Sequence, residues 1–309
     1  MAIEKLHANE WSILGLGSIG SLWASRFLGK NIPVELLLRG EKNIRQLKEK
    51  GLTIRHHESS VTYHPTCLSS NTTINSSAIK HLLITTKAHQ TIPALQSFAH
   101  RIHPDTKLIL LQNGMGVSDE IKNHFPDNPL FLGITTDGAY RSDSCTVVHA
   151  GEGETWFGPA NTDKLEEFST LKAIHSPCFW ETDIHPRIWQ KFAINCAING
   201  LTVLFQCKNG ALLRNKDARN QLAHICEEIE SVLGKKGISL SSPVMETALG
   251  IAEKTANNYS SMLQDFRARR RLELDYLNGY LCREASRLDI DVPHNQALVE
   301  AIQGLIKSN

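Results

Sequence analysis

Through the first half of the chain, short apolar runs alternate with stretches whose apolar positions recur every three or four residues. Trp11 to Leu14, Pro33 to Leu38, His81 to Thr86, Lys107 to Gln112 and Leu130 to Thr135 are such runs. Their length and their glycine and polar boundaries predict buried strands. Helices are predicted between them: from about Ser18 to Leu28, from about Thr91, and after the glycine turn that follows Gln112. Strands alternating with helices imply a mostly parallel sheet, whose ligands sit at the carboxyl ends of its strands.

Around Gly151 the pattern changes. VVHAGEGETWFG reads as antiparallel strands, followed by a helix at about 162–174 and an edge strand in CFWETDI. From His185 onward only helical patterns are found. This predicts an α/β domain over residues 1–183 and an all-α domain over 184–309, with no Gly/Ser linker between them.

Two charged residues break the apolar pattern of the second half. Trp189 to Phe205 is apolar around most of its circumference, as in a buried helix. Lys191, Asn195, Asn199 and Thr202 form the exception, within an arc of roughly 80° at about 100° per residue. So narrow a polar stripe predicts the lining of a cavity rather than a solvated face. Further on, RRRLELDYLNGYLCREASRL reads as a helix with Glu273 on the face of Leu277, Tyr280 and Leu281, and with Asp275 and Asn278 turned away. A carboxylate in apolar surroundings needs a partner. Either Lys191 and Glu273 form a structural ion pair between packed helices, or one ligand meets both.

Composition narrows the field. Thirty-three basic residues against 32 acidic ones give a net charge of +1, which argues against nucleic-acid and polybasic membrane binding and leaves small molecules as partners. The seven cysteines are scattered, odd in number and never spaced as CxxC, as expected of reduced thiols in a cytoplasmic protein. The 14 histidines form no HExxH, and the adjacent His56 and His57 are expected on a surface turn, so no metal is predicted. Glu4, Lys5 and Glu10 in MAIEKLHANEW are unlike a secretory signal, and no uncharged apolar segment approaches membrane-spanning length.

The first strand runs into Gly15, Gly17 and Gly20, spaced as GxGxxG, and then into a helix. The first glycine permits a tight turn, the second lets a diphosphate approach the backbone, and the third lets helix and strand pack closely; the helix N-terminus favours the anion. This context makes the first domain a Rossmann-type dinucleotide site. Where an NAD site usually carries an acidic residue, the second strand ends in Arg39, which suits a 2′-phosphate and hence NADP(H). Lys87 and Asn113 fall at the ends of later strands, where cofactor is expected.

The chain resembles the ketopantoate reductase (2-dehydropantoate 2-reductase) family essentially end to end. The matching segments are the GxGxxG turn, TKAHQT, QNGMG, KFAINCAINGLT with the following NG at Asn209, and NNYSSMLQDFRARRRLELDYLNGYL. The resemblance implies NADPH-dependent reduction of ketopantoate to pantoate in pantothenate biosynthesis, and a helical second domain like that of 6-phosphogluconate dehydrogenase-like enzymes. Lys191 would be the proton donor. Gly15, Leu16, Gly17, Ser18, Ile19, Gly20, Lys87, Asn113 and Ala139 would contact cofactor. Asn195, Asn199, Asn209, Asn258 and Ser261 would contact substrate together with Asn113, and Glu273 would border both ligands. Gly200 departs from the family, which commonly has proline there; both residues can interrupt a helix, glycine less rigidly.

The chemistry of these residues agrees. Hydride addition to a ketone generates an alkoxide, and an ammonium group both stabilises and protonates it. Two alternatives keep part of this picture: a reductase of another branched 2-keto acid, and a non-catalytic NADPH sensor. A monomer and a homodimer are equally compatible with the sequence.

Overall fold

A computed structural model describes residues 10–69, 78–160 and 168–308. The start MAIEKLHAN and residues 162–167 of the helix expected at 162–174 lie outside the described residues. The chain divides into two compact units: one runs through Gln112 and over Val117–Ile184, the other combines Asn113–Gly116 with everything from His185 onward.

In the first unit, β1 (Trp11–Leu14), β2 (Val34–Leu38), β5 (Thr66–Ser69), β6 (His81–Ile84), β7 (Lys107–Leu111), β8 (Leu130–Thr135), β11 (Thr155–Pro159) and β12 (Cys178–Trp180) form one sheet, in the order β12-β11-β8-β7-β6-β1-β2-β5. All neighbours are parallel except β11 and β8, which are antiparallel. Helices α1 (Ser18–Gly29), α2 (Glu41–Lys50), α3 (Thr91–Ser97), α4 (Val117–His124) and α5 (Ser169–Ile174) accompany it. The central strands are buried along their length, which explains their uninterrupted apolar runs. Strand order reverses about β1, with β2 on one side and β6 on the other. Their carboxyl ends therefore make a topological switch point, the place where such sheets bind ligands.

A second sheet was not foreseen. Strands β3 (Leu52–His56), β4 (Ser59–Tyr63), β9 (Gly138–Arg141) and β10 (Thr146–Gly151) pair in the order β4-β3-β10-β9 and pack on α1. The antiparallel strands expected in VVHAGEGETWFG are present as β10 and β11. Each half is antiparallel to a neighbour, but β10 pairs with β9 in the small sheet and β11 with β8 in the large one. Two glycines and two acids, Gly151 to Glu154, separate the two sheets rather than close a hairpin.

Asp137, at the junction of β8 and β9, has a fully buried side chain. It accepts two bonds from Arg26 Nη2, at 2.9 and 3.0 Å, and further ones from Thr135 Oγ1 and the Gly153 N–H. Arg26 and these bonds hold its carboxyl below the usual range against the opposing effect of burial. His149 Nε2 lies 3.2 Å from the same carboxylate, and His175 Nε2 lies 3.7 Å from it.

Burial first, and then repulsion from Arg26, lowers the His175 pKa from 6.5 to about 4. The unfolded chain therefore takes up a proton below about pH 6.5 that the folded chain refuses until about pH 4, and stability falls as pH drops through that window. The shift corresponds to about 3 kcal/mol. In His175→Phe, the difference in unfolding free energy between pH 7 and pH 4.5, read from denaturant curves, should shrink by most of that amount. An unchanged difference would remove His175 as its source.

In the second unit, α6 (His185–Leu204) is central; around it lie α7 (Ala211–Arg214), α8 (Lys216–Lys235), α9 (Val244–Lys254), α10 (Ser261–Arg267), α11 (Asn278–Arg287) and α12 (Pro293–Ser308). Among the described residues this unit contains no strand. Gly200 does not interrupt α6. Its backbone stays helical, and a Cβ there would sit 2.7 Å from Leu298 Cδ2 of α12, so the glycine serves close helix packing. That packing offsets the roughly 1 kcal/mol that glycine costs inside a helix.

The helix expected to carry Glu273 is also corrected. Leu274–Tyr276 is a 3₁₀ turn, and α11 begins only at Asn278. Asn278 is fully buried rather than turned outward; its Nδ2 donates to the Cys196 carbonyl of α6 at 3.0 Å and to Asn295 Oδ1 at 2.9 Å. A break in the helix changes the angular spacing, so the periodicity that placed Glu273 and Asn278 on opposite faces does not apply.

Candidate active site

The three glycines of the first unit have different physical requirements. Gly15 has φ +96°, a left-handed value that disfavours side chains, and a Cβ there would lie 2.8 Å from Thr86 Cγ2. A Cβ on Gly20 would sit 2.1 Å from the Gly15 carbonyl oxygen and 2.3 Å from Thr85 Oγ1. At Gly17 the nearest atom to a Cβ would be 3.9 Å away, so the protein's own packing does not demand glycine. An open surface at the N-terminus of α1, with no side-chain cap and no acid in the first turn, is what an approaching diphosphate needs.

Leu16, Ser18 and Ile19 belong to this turn or open the helix. Arg39 is exposed at the end of β2, Lys87 is half-buried after β6, and Ala139 is half-buried on β9. The residues therefore fit a dinucleotide: a phosphate cradle after β1 and a cation after β2.

In the second unit, Asn113, Asn199, Ser261 and Glu273 line one cleft, together with Met262, Asp265 and Leu277. Each element is fixed for a separate reason. Asn113 opens a turn whose Gly114 has φ +85° and would bring a Cβ within 2.8 Å of the Tyr276 carbonyl oxygen; the Met115 N–H donates to that oxygen at 2.8 Å. Ser261 opens α10, whose N-cap Ser260 accepts from the Leu263 N–H. Asn199 lies on α6 and is 7% exposed, while Glu273, just before the 3₁₀ turn, is 6% exposed.

The polar stripe of α6 becomes more buried along its length. Lys191 and Asn195 are half-buried, Asn199 reaches the cleft, and Thr202 is fully buried, with Oγ1 2.6 Å from Ser260 Oγ. Thr202 thus ties α6 to α10 rather than lining the cleft. Asn209 and Asn258 meet each other: the Asn209 N–H donates to the Asn258 carbonyl, and Asn209 Nδ2 donates to Thr255 Oγ1. Neither they nor Lys191 and Asn195 are among the residues lining the cleft.

Sequence reasoning missed Asp265, a cleft residue only 4% exposed. Arg270 binds it twice, through Nε to Oδ1 at 2.8 Å and through its N–H to the carbonyl at 2.9 Å. Its position was legible: Asp265 stands four residues after Ser261 and shares that face of α10. The cleft thus combines amide and hydroxyl donors, two carboxylates and an apolar wall of Met262 and Leu277. Such a lining has the mixed polar and apolar character of a small-molecule site.

Comparison with known proteins agrees with this chemistry. The family description Ketopantoate reductase PanE/ApbA matches residues 11–162, and Ketopantoate reductase PanE/ApbA C terminal matches 183–306. A 2-dehydropantoate 2-reductase of Shigella flexneri is 32% identical over 94% of this chain and 93% of its own length. The solved structure of a probable 2-dehydropantoate 2-reductase from Bacillus subtilis superposes with a TM-score of 0.78 at 28% identity, covering 95% of this chain and 99% of that one. A D-mandelate dehydrogenase solved with NADH and anilino(oxo)acetate shares the fold, with a TM-score of 0.87 at 24% identity over 96% of this chain and 99% of that one. With both of its halves matched in order, the chain belongs to the ketopantoate reductase family.

Proposed function

We propose that this protein reduces 2-dehydropantoate to pantoate with NADPH as reductant. Bound NADPH supplies hydride to the C2 ketone carbon. Lys191 gives a proton to the C2 oxygen as negative charge develops there, so the alkoxide never has to exist free. Asn113, Asn199 and Ser261 hydrogen-bond the substrate's carboxylate and hydroxyl without adding fixed charge. Glu273 accepts from the hydroxyl and orients Lys191. Arg39 pairs with the 2′-phosphate, which makes NADPH the preferred nucleotide.

The observation that carries this reading is Glu273. Its carboxylate, 6% exposed, lines one cleft with two asparagines and a serine, so acceptor, amide and hydroxyl groups converge where a small keto acid could be held. Loss of the substrate hydroxyl would leave buried polar groups unmatched, so discrimination should be steep. Initial rates of NADPH consumption with ketopantoate should exceed those with a branched 2-keto acid lacking the hydroxyl by about a hundredfold or more. Equal rates would assign the protein to the broader class of branched 2-keto acids, and no NADPH consumption with any keto acid would support the sensor alternative.

A further inference from the structure

One guanidinium of the first unit lies against the glycine turn and is not used by the reading above. Arg141 ends β9, two residues beyond Ala139, so the two side chains leave the strand on the same face. Its Nη1 donates to the Leu16 carbonyl at 3.3 Å, inside the Gly15–Gly20 turn. Nε donates to the Asp143 carbonyl, and Nη2 to the Ser144 carbonyl. These three bonds go to backbone carbonyls, and no carboxylate among the described residues pairs with Arg141. The acid next to it, Asp143, turns its carboxylate to the Cys145 and Thr146 N–H groups, which hold its pKa down.

A guanidinium has five N–H groups, so two remain for other acceptors. An exposed, uncompensated cation fixed to the turn that opens α1 adds to the positive potential of the helix N-terminus, where a dinucleotide presents its diphosphate.

We propose that Arg141 is a cofactor-binding residue that serves the diphosphate, by clasping the Leu16 carbonyl to shape the turn and by holding its charge there. The inference rests on the dinucleotide reading of the first unit. The diphosphate is common to NADH and NADPH, so Arg141 acts on both nucleotides alike. Arg39, at the end of β2, distinguishes them.

The test is a nucleotide titration of the full chain by calorimetry, with NADPH and NADH at two salt concentrations. Arg141→Gln should weaken both nucleotides by about the same factor, roughly tenfold, and reduce the salt dependence of binding, at an unchanged thermal midpoint. Arg141→Lys, which keeps the charge but not the fork, should recover part of the loss. Arg39→Ala, by contrast, should weaken NADPH far more than NADH.

Parent-like affinities in Arg141→Gln would overturn the proposal, as would a loss confined to NADPH. A loss that comes with a lowered midpoint and is not recovered by lysine would reduce Arg141 to a structural clasp and also overturn it. If the unaltered chain binds neither nucleotide, the dinucleotide reading itself falls.

Discussion

Replacing Lys191 with alanine is expected to slow 2-dehydropantoate reduction about a thousandfold while leaving NADPH affinity nearly unchanged. Lys191 is half-buried near the start of α6, and its stripe leads through Asn195 to Asn199 in the cleft. Alanine is the best helix former, and α6 is anchored by Phe192, Ala193, Cys196 and Leu201, so the fold should survive the change. Proton donation and simple charge stabilisation are separated by Lys191→Arg. Arginine keeps the charge, but its pKa is too high for it to give up a proton at neutral pH. A rate as low as the alanine variant's supports lysine as the donor. A near-normal rate in either variant, measured by stopped-flow NADPH consumption, would remove Lys191 from proton transfer.

The glycine turn offers the second large effect, because two of its glycines should fail in opposite ways. Gly17→Ala leaves its new methyl group 3.9 Å from the nearest protein atom, so the thermal midpoint should not move. The methyl group occupies the surface that the diphosphate approaches, and NADPH affinity should fall about a hundredfold, equivalent to losing roughly two charge-assisted hydrogen bonds. Gly20→Ala forces a Cβ to 2.1 Å from a backbone oxygen that cannot yield without moving the turn. It should cost about 3 kcal/mol or more in stability, whether or not nucleotide is present. Thermal melts with and without NADPH distinguish the two. Unchanged nucleotide affinity in Gly17→Ala would remove the diphosphate from this turn.

Much of this division of labour was legible in the chain. The parallel core strands were marked by continuous apolar runs, and their ends by glycine and polar residues, because a strand buried on both faces carries no alternation to confuse. The four-stranded sheet was not legible. Its strands β3, β4 and β9 are largely half-buried or exposed, and β3 and β10, nearly a hundred residues apart in sequence, meet as parallel neighbours. Pairing at that distance leaves no local signal. Arg141 was missed for the same reason, since only the β9–β10 pairing and its packing on α1 bring it to Leu16.

In the second unit, the stripe on α6 put Asn199 on the side of the helix that lines the cleft, yet it could not separate Thr202, which faces Ser260, from the lining residues. Glu273 was found for an incomplete reason. Its burial was expected from helical spacing, whereas the structure buries it in a non-helical segment held by the 3₁₀ turn and the Asn113–Gly116 turn.

By itself, the order of residues determined the buried strands, the glycine turn after β1 and the chemical types gathered in the second unit, since each is encoded within a few turns of helix or strand. Tertiary structure alone decided that Gly200 makes room for Leu298, that Asn278 is an internal donor to α6, and that Asp265 joins Glu273 in one cleft. These facts depend on which surfaces meet across long sequence separations. Local periodicity carries information about faces but none about what each face touches.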